Sequence, residues 1–241
     1  KIGGKGLFVK ELDEALINCK VDITVNSYKD MPMEVNKDLP VVALSVREDE
    51  RDVLILPKGY TDETKPVGCS SKRRILQLEE LGFSNIIPLR GNVITRLKKL
   101  DDGEFRAIVL AAAGIKRLGL ENRINRYFST KEIMPAACQG IIAVQARKGD
   151  IVDYLKLFHN EASKIISDAE RAFVAALNGG CTSPVAAYAK IEGEVLVLQG
   201  LYVDEERKIA VKGTISGSIS HAEKIGLELA NKLKKEALQK L

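Results

Sequence analysis

The first 150 residues of the chain alternate between short apolar runs and helical patterns. Apolar runs of strand length lie at 41–46, 52–57, 85–89 and 106–113. Patterns with apolar residues three and four apart follow residue 68, Arg90 and Ala113, and this spacing predicts amphipathic helices. Because strands that alternate with helices are typical of α/β folds, we expect largely parallel sheets in this part of the chain.

The pattern changes after residue 147. A helical stretch from about Ile151 to Leu177 leads into three closely spaced strands, which are PVAAYAKIEG, EVLVLQGLYVD and KIAVKGTISG. Short turns join them, so they predict a three-stranded antiparallel sheet. A final helix would present one apolar face made of Ala222, Ile225, Leu229, Leu233 and Ala237. The end of the chain therefore reads as a small α+β domain.

Composition excludes several classes of protein. No run approaches the roughly 18 apolar residues of a membrane span, and the start lacks the apolar core of a signal peptide. The net charge of +4 and the 5% aromatic content argue against nucleic-acid binding. The four cysteines contain no CxxC pair, so we expect free thiols and no metal site. These features favour a cytoplasmic protein without membrane or nucleic-acid partners.

Basic residues cluster where predicted strands give way to helices. The three groups are Lys72, Arg73 and Arg74, then Arg90 and Arg96, then Lys116 and Arg117. In α/β sheets these positions bind ligands, and helix N-termini favour anions there. Each arginine taken singly favours an ordinary solvated basic surface. Three groups at equivalent strand ends favour a site for several carboxylates or phosphates, because Arg binds both through two hydrogen bonds.

Three further segments are candidates for the same site. Lys29 and Asp30 follow a predicted strand, and a carboxylate among cations stays ionised and could stabilise a cationic intermediate. The stretch KIGGKGLF suits a mobile loop over an anionic ligand, although this stretch alone favours an ordinary loop before the helix at Val9. The stretch ALNGGCTSPVAAYA places Cys181 at a tight hinge, where it could be a reactive thiol or simply a small residue.

The chain resembles the porphobilinogen deaminase (hydroxymethylbilane synthase) family. The motifs that carry the resemblance run from residue 1 to the C-terminus; they are KIGGKGLFVKEL, NSYKDMP, REDERDVLI, GCSSKRR, LRGNVITRLKKLDDGEFRAIVLAAAGIKRLG, MPAACQG and AERAFVAALNGGCTSPVAAYA. The resemblance implies two α/β domains like those of periplasmic binding proteins and a small C-terminal α+β domain. The implied boundaries are 1–46 with 140–158, then 51–134, then 161–241.

The resemblance also implies a reaction and a cofactor. A dipyrromethane attached to Cys181 by a thioether would prime the head-to-tail condensation of four porphobilinogen molecules, with loss of ammonia, to hydroxymethylbilane. Asp30 is expected to be catalytic, and Lys1, Lys5 and Phe8 to belong to the mobile loop. The residues expected to bind carboxylates of cofactor or substrate are Lys29, Ser71, Arg73, Arg74, Arg90, Arg96, Arg117 and Arg171. The protein is expected to be a monomer that needs no metal.

The sequence departs from the family pattern at several positions. Asn26 replaces a usual histidine, Tyr28 a methionine, Cys69 a threonine, Lys72 a leucine and Cys138 a glycine. Members of the family also carry a further N-terminal segment of roughly 50 residues, so we expect the chain as given to lack it. Two alternatives therefore stay open, namely an inactive truncated form and a module that binds small anions without catalysis.

Overall fold

The computed structural model describes residues 7–59, 61–179 and 183–240. The helices and strands are α1 (Leu7–Ile17), β1 (Thr24–Ser27), β2 (Val41–Leu44), β3 (Asp52–Ile55), β4 (Val67–Gly68), α2 (Lys72–Glu80), β5 (Ile86–Ile87), α3 (Val93–Asp101), β6 (Ala107–Ala111), α4 (Ala112–Arg117), β7 (Arg126–Tyr127), β8 (Ile142–Gln145), α5 (Glu161–Ala176), β9 (Ala186–Glu192), β10 (Val195–Asp204), β11 (Ile209–Ser218) and α6 (Ala222–Gln239).

These strands form three sheets. The first has the order β1-β8-β2, the second β5-β4-β6-β3-β7, and the third β11-β10-β9. The third sheet is antiparallel throughout, as the three closely spaced strands predict. The chain therefore has the expected mixed α/β fold with a C-terminal three-stranded antiparallel sheet and its helices.

The expectation of largely parallel sheets is wrong. In the first two sheets, the parallel pairings are those of β4 with β5 and of β4 with β6, and the other pairings are antiparallel. The cause is the path of the chain between the sheets. After the second sheet the chain returns to the first in β8, which pairs antiparallel with β1 and β2. The chain enters the second sheet in β3, which pairs antiparallel with β6 and β7.

The C-terminal helices pack on one face of the third sheet. Asn160 caps α5, because its side chain accepts a hydrogen bond from the Ser163 amide at 2.9 Å, and the helix begins at the next residue. Gly200 in β10 lets the Phe173 ring approach the strand, since a Cβ there would lie 2.4 Å from the ring. In α6 the predicted apolar face is confirmed, with all five of its residues buried.

Two crossing segments, residues 45–51 and 134–141, connect the first sheet with the second. They meet next to the first sheet, where the Glu48 amide is bonded to the Gly140 carbonyl at 3.1 Å and the Ser45 amide to the carbonyl of Ile142, the first residue of β8, at 2.9 Å. Gly140 has φ +94°, and a Cβ there would lie 2.3 Å from the Glu48 carbonyl oxygen. Glycine is therefore required at position 140.

Candidate active site

A cleft of about 500 Å³ lies where the first two sheets and the crossing segments meet. Its walls come from the turn after β1, the β4–α2 connection, the start of α3, α4 and the second crossing segment. The sequence-predicted residues that line it are Lys29, Asp30, Ser71, Arg73, Arg74, Arg96 and Arg117. The topology thus brings one carboxylate and five cations to one cavity.

Asp52, the first residue of β3, forms salt bridges with both Arg73 and Arg74 beneath the cleft. Nη2 of Arg74 lies 2.6 Å from Oδ1 of Asp52, and Nη1 of Arg73 lies 2.8 Å from Oδ2. All three side chains are buried. Although burial alone would raise the pKa of Asp52, the two guanidiniums hold it well below its usual range. The pair of arginines is therefore anchored as a rigid floor of the cleft.

Gln139 connects this floor to Lys29. Its Nε2 donates to Oδ1 of Asp52 at 2.9 Å and to the Glu50 carbonyl at 2.7 Å, while its Oε1 accepts from Nζ of Lys29 at 3.2 Å. Burial, followed by the charge of Arg74, lowers the pKa of Lys29 to about 8. Lys29 is therefore partly deprotonated near pH 8 until an anion approaches it.

Arg96 and Arg117 face the cleft from two other helices. Nε of Arg96 donates to the Gly91 carbonyl at 2.7 Å, and Nη2 of Arg117 donates to the Gly140 carbonyl at 2.6 Å. Burial lowers the pKa of both guanidiniums, and the nearby Arg74 contributes at Arg96. Within the described part of the chain, no carboxylate lies within salt-bridge distance of either one, so both remain available to an anionic ligand.

Helix starts add to this positive potential. The chain enters α2 at Ser71 and α3 at Asn92, and both residues line the cleft. The Asn92 side chain accepts from the Thr95 amide at 2.8 Å, which fixes the first turn of α3. The amides at such helix starts favour anions.

One placement predicted from the sequence is wrong at α4. Lys116 and Arg117 lie in its last turn instead of its first, because α4 already begins at Ala112 and ends before Gly119 at φ +65°. Lys116 pairs with Glu48 at 2.6 Å on the exposed side of the first crossing segment. Arg117, the next residue, still reaches the cleft.

The remaining predicted residues are placed differently. Arg90 is exposed and does not line the cleft, and Arg171 contacts the backbone after Asp30 instead. Phe8 lies in α1, and its side chain is outside the described part of the structure. Lys1, Lys5 and Cys181 lie outside the described residues.

Sequence reasoning missed Asp52 and Gln139. Asp52 stands in the stretch ERDVLI, where a charged residue opens an apolar strand. Such a carboxylate must be paired when the strand is buried, so its position was a usable signal. Gln139 had no comparable signal, because its role depends on the crossing of two distant segments.

The departures from the family pattern also have defined places. Cys138 is buried at φ +61°, a conformation that favours glycine. Burial and the Glu170 charge raise the pKa of its thiol to about 12. Cys69 is buried too, and Lys72 pairs with Glu205 of the C-terminal domain. Asn26 donates to the Gln145 side chain at 3.3 Å.

Family models match most of the chain. The model described as porphobilinogen deaminase, dipyromethane cofactor binding domain matches residues 1–152, and the model described as porphobilinogen deaminase, C-terminal domain matches residues 165–235. The chain belongs to the porphobilinogen deaminase family. The porphobilinogen deaminase of Ruminiclostridium cellulolyticum is 61% identical over 236 residues, which are 97% of this chain and 80% of that protein. The porphobilinogen deaminase of Acetivibrio thermocellus is 58% identical, over 98% of this chain and 82% of that protein.

Solved structures similar to this porphobilinogen deaminase family member include two sulfonate-binding proteins. The periplasmic aliphatic sulphonate binding protein of Escherichia coli matches 70% of this chain and 56% of its own at 16% identity, with a TM-score of 0.38. A putative periplasmic sulfonate-binding protein of Methylobacillus flagellatus matches 68% of this chain and 52% of its own at 14% identity, with a TM-score of 0.36.

Among the helices of the described residues, none has the length and apolar character that a membrane span requires.

Proposed function

We propose that this chain is a transferase that condenses four porphobilinogen molecules head to tail to hydroxymethylbilane, with release of ammonia. This is the porphobilinogen deaminase reaction of tetrapyrrole and haem biosynthesis. The observation that carries the proposal is a cleft in which Arg96 and Arg117 face the cavity without an acidic partner among the described residues, while Asp30 offers a carboxylate. A substrate with an acetate and a propionate on every ring requires such a set of cations.

The cleft also fits a dipyrromethane, which carries four carboxylates. Nε of Arg73 is buried and has no hydrogen-bond partner among the described residues. A small side cavity shares Lys29 and Arg73 with the cleft and extends to Ser183, two residues after Cys181. When bound to Cys181, the dipyrromethane would supply the primer to which substrate is joined. Arg73, Arg74 and Ser71 are the residues that would hold its carboxylates.

The other residues act on the substrate. Arg96, Arg117 and Lys29 bind its carboxylates and orient the ring, because charge-assisted hydrogen bonds fix both position and direction. The Asp30 carboxylate accepts the pyrrole N–H and stabilises the cation that the substrate forms as ammonia leaves. Arg90 would serve the outer end of a longer product chain from its exposed position. Lys1, Lys5 and Phe8 would form a mobile loop over the bound rings.

We also propose the division of the chain into domains at 1–46 with 140–158, at 51–134 and at 161–241. Each of the three sheets draws its strands from one of these parts, which supports the division. The protein would act as a monomer in the cytoplasm, without nucleic-acid or membrane partners. The family resemblance supports the monomer, and the modest charge of +4 supports the absence of a nucleic-acid partner.

The intact mass of the denatured protein tests the proposed function. We expect an excess equal to two condensed porphobilinogen units, which peptide mapping assigns to Cys181. Cys181→Ser should lack the adduct, and Cys19→Ser, which changes an exposed cysteine, should keep it. An unmodified mass after incubation with porphobilinogen would contradict the proposal and favour an anion-binding module. An adduct on Cys69 would move the attachment point.

A further inference from the structure

Arg171 in α5 contacts the short segment that contains Lys29 and Asp30 on both sides of Asp30. Its guanidinium carbon lies 4.5 Å from the centroid of the Tyr28 ring, in cation–π geometry. Its Nη2 donates to the carbonyl of Pro32 at 2.5 Å and to that of Met33 at 2.8 Å. One side chain of the C-terminal domain thus holds the segment both before and after Asp30.

The segment that Arg171 contacts contains one tight turn, Tyr28–Asp30. Tyr28 to Asp30 form one turn of 3-10 helix, in which the Met31 amide donates to the Tyr28 carbonyl at 3.3 Å. The Tyr28 amide is bonded to the Ile141 carbonyl at 3.0 Å. Tyr28 and Met31 are buried, whereas Asp30 is exposed to the cleft. The position of the Asp30 carboxylate therefore depends on how firmly the residues on either side are held.

We propose that Arg171 is a positioning residue for Asp30, acting through the Tyr28 ring and the carbonyls of Pro32 and Met33, and that it does not bind a carboxylate of the substrate. The proposal rests on the proposed function, because it concerns the site of that reaction. Arg171 does not line the cleft, and its partners are backbone and ring atoms. Tyr28, which stands where the family usually has methionine, provides the aromatic half of the contact.

One feature of the site supplies a competing interpretation. Nη1 of Arg171 is buried and has no hydrogen-bond partner among the described residues. A ligand carboxylate that bound there would make Arg171 a binding residue. Binding and positioning predict different kinetics. Loss of a binding contact raises KM, whereas misplacement of the Asp30 carboxylate lowers kcat with little change in KM.

The test combines hydrogen exchange with kinetics on Arg171→Lys. Lysine keeps the positive charge but lacks the planar guanidinium that stacks on the Tyr28 ring and donates to two carbonyls. We expect about 10-fold faster exchange of the Met31 amide in the cofactor-loaded protein, because the turn opens more often. We expect kcat to fall roughly 10-fold to 100-fold and KM to stay within about two-fold.

Arg147→Lys is the matched control. Arg147 also donates to two backbone carbonyls, those of Leu16 at 3.0 Å and Val21 at 2.7 Å, and it does not line the cleft. This variant should leave the Met31 amide and both kinetic constants unchanged. Tyr28→Leu removes the ring and keeps the guanidinium, so it tests the contact even if Arg171→Lys folds poorly.

A double variant completes the experiment. Because Arg171 is proposed to act partly through the ring, Tyr28→Leu and Arg171→Lys together should cost less than the product of their separate losses. A higher KM with unchanged kcat, or unchanged exchange of Met31, would overturn the proposal. Faster exchange in Arg171→Lys, together with a wild-type protein that never forms hydroxymethylbilane, would instead refute the proposed function and leave the contact intact.

Discussion

The Asp52 carboxylate lies 2.6 Å from Nη2 of Arg74 and is completely buried beneath the cleft. It is the shared counter-ion of two adjacent arginines, so its removal leaves both cations uncompensated in the interior. We expect Asp52→Asn to lower the free energy of unfolding by about 3–5 kcal/mol, measured by urea denaturation. Asp102→Asn, which breaks the exposed Lys98–Asp102 pair, should cost far less, because water screens an exposed pair. Equal losses would contradict the anchoring role.

Asp30 should be required for turnover but not for attachment of the cofactor. A charge pair at 4 Å in an effective dielectric near 20 is worth roughly 4 kcal/mol, or about three decades in rate if it acts only in the transition state. We therefore expect Asp30→Asn to keep the mass of the cofactor-loaded protein while kcat falls about 1000-fold. Asp38→Asn, at an exposed aspartate further along the same loop, should retain normal turnover. Near-normal hydroxymethylbilane formation by Asp30→Asn would reject its catalytic role.

The pKa of Lys29, lowered to about 8 in the folded protein from 10.5, should be visible as a pH-dependent stability. Between pH 8 and 10.5 the unfolded chain holds the Lys29 proton and the folded protein does not, so this residue makes stability rise with pH in that window. We expect the difference in unfolding free energy between cofactor-free Cys181→Ser and the same protein with Lys29→Met to grow in favour of Lys29 over that range. Parallel pH curves would show that the ammonium is not desolvated.

Cofactor carboxylates should weaken this pH dependence. An anion next to Lys29 raises its pKa, so the cofactor-loaded protein should show a smaller rise in stability between pH 8 and 10.5. The comparison needs the loaded protein with and without Lys29→Met.

Cys138 carries a backbone cost that glycine would avoid. At φ +61° a residue with a Cβ is strained by roughly 1–2 kcal/mol relative to the right-handed region. Cys138→Ala and Cys138→Gly both lose the buried sulfur, but only glycine relaxes the backbone. We expect the glycine variant to be more stable than the alanine variant by about 1 kcal/mol in thermal or urea unfolding. An alanine variant of equal or greater stability would show that the strain is negligible.

Local patterns predicted much of the fold, because they depend on residues close together in sequence. The apolar face of α6 follows from helical periodicity, and the strands β2, β3 and β6 follow from apolar runs of strand length. The direction of strand pairing does not, since β8 joins the first sheet only after the chain has built the second. The short strands β4 and β7 have two residues each and leave no periodic signal.

The site was predictable as a set of cations but not as a network. Basic residues at strand ends identify a binding edge, and five predicted cations do line the cleft. How each of them is held depends on contacts between distant segments. Asp52 pairs with Arg73 and Arg74 across 21 and 22 positions of sequence, and only the fold brings α2 onto the start of β3.

Hydrogen bonds join the two chain segments that connect the walls of the cleft. Since Ser45 is bonded to Ile142 and Glu48 to Gly140, and Gly140 allows the close approach, residues 45–48 and 140–142 form one paired connection rather than two independent linkers. We expect this connection to act as one hinge between the two walls, because the hydrogen bonds prevent its two segments from moving independently. A lengthening oligopyrrole would therefore push the two walls apart by rotation about this connection.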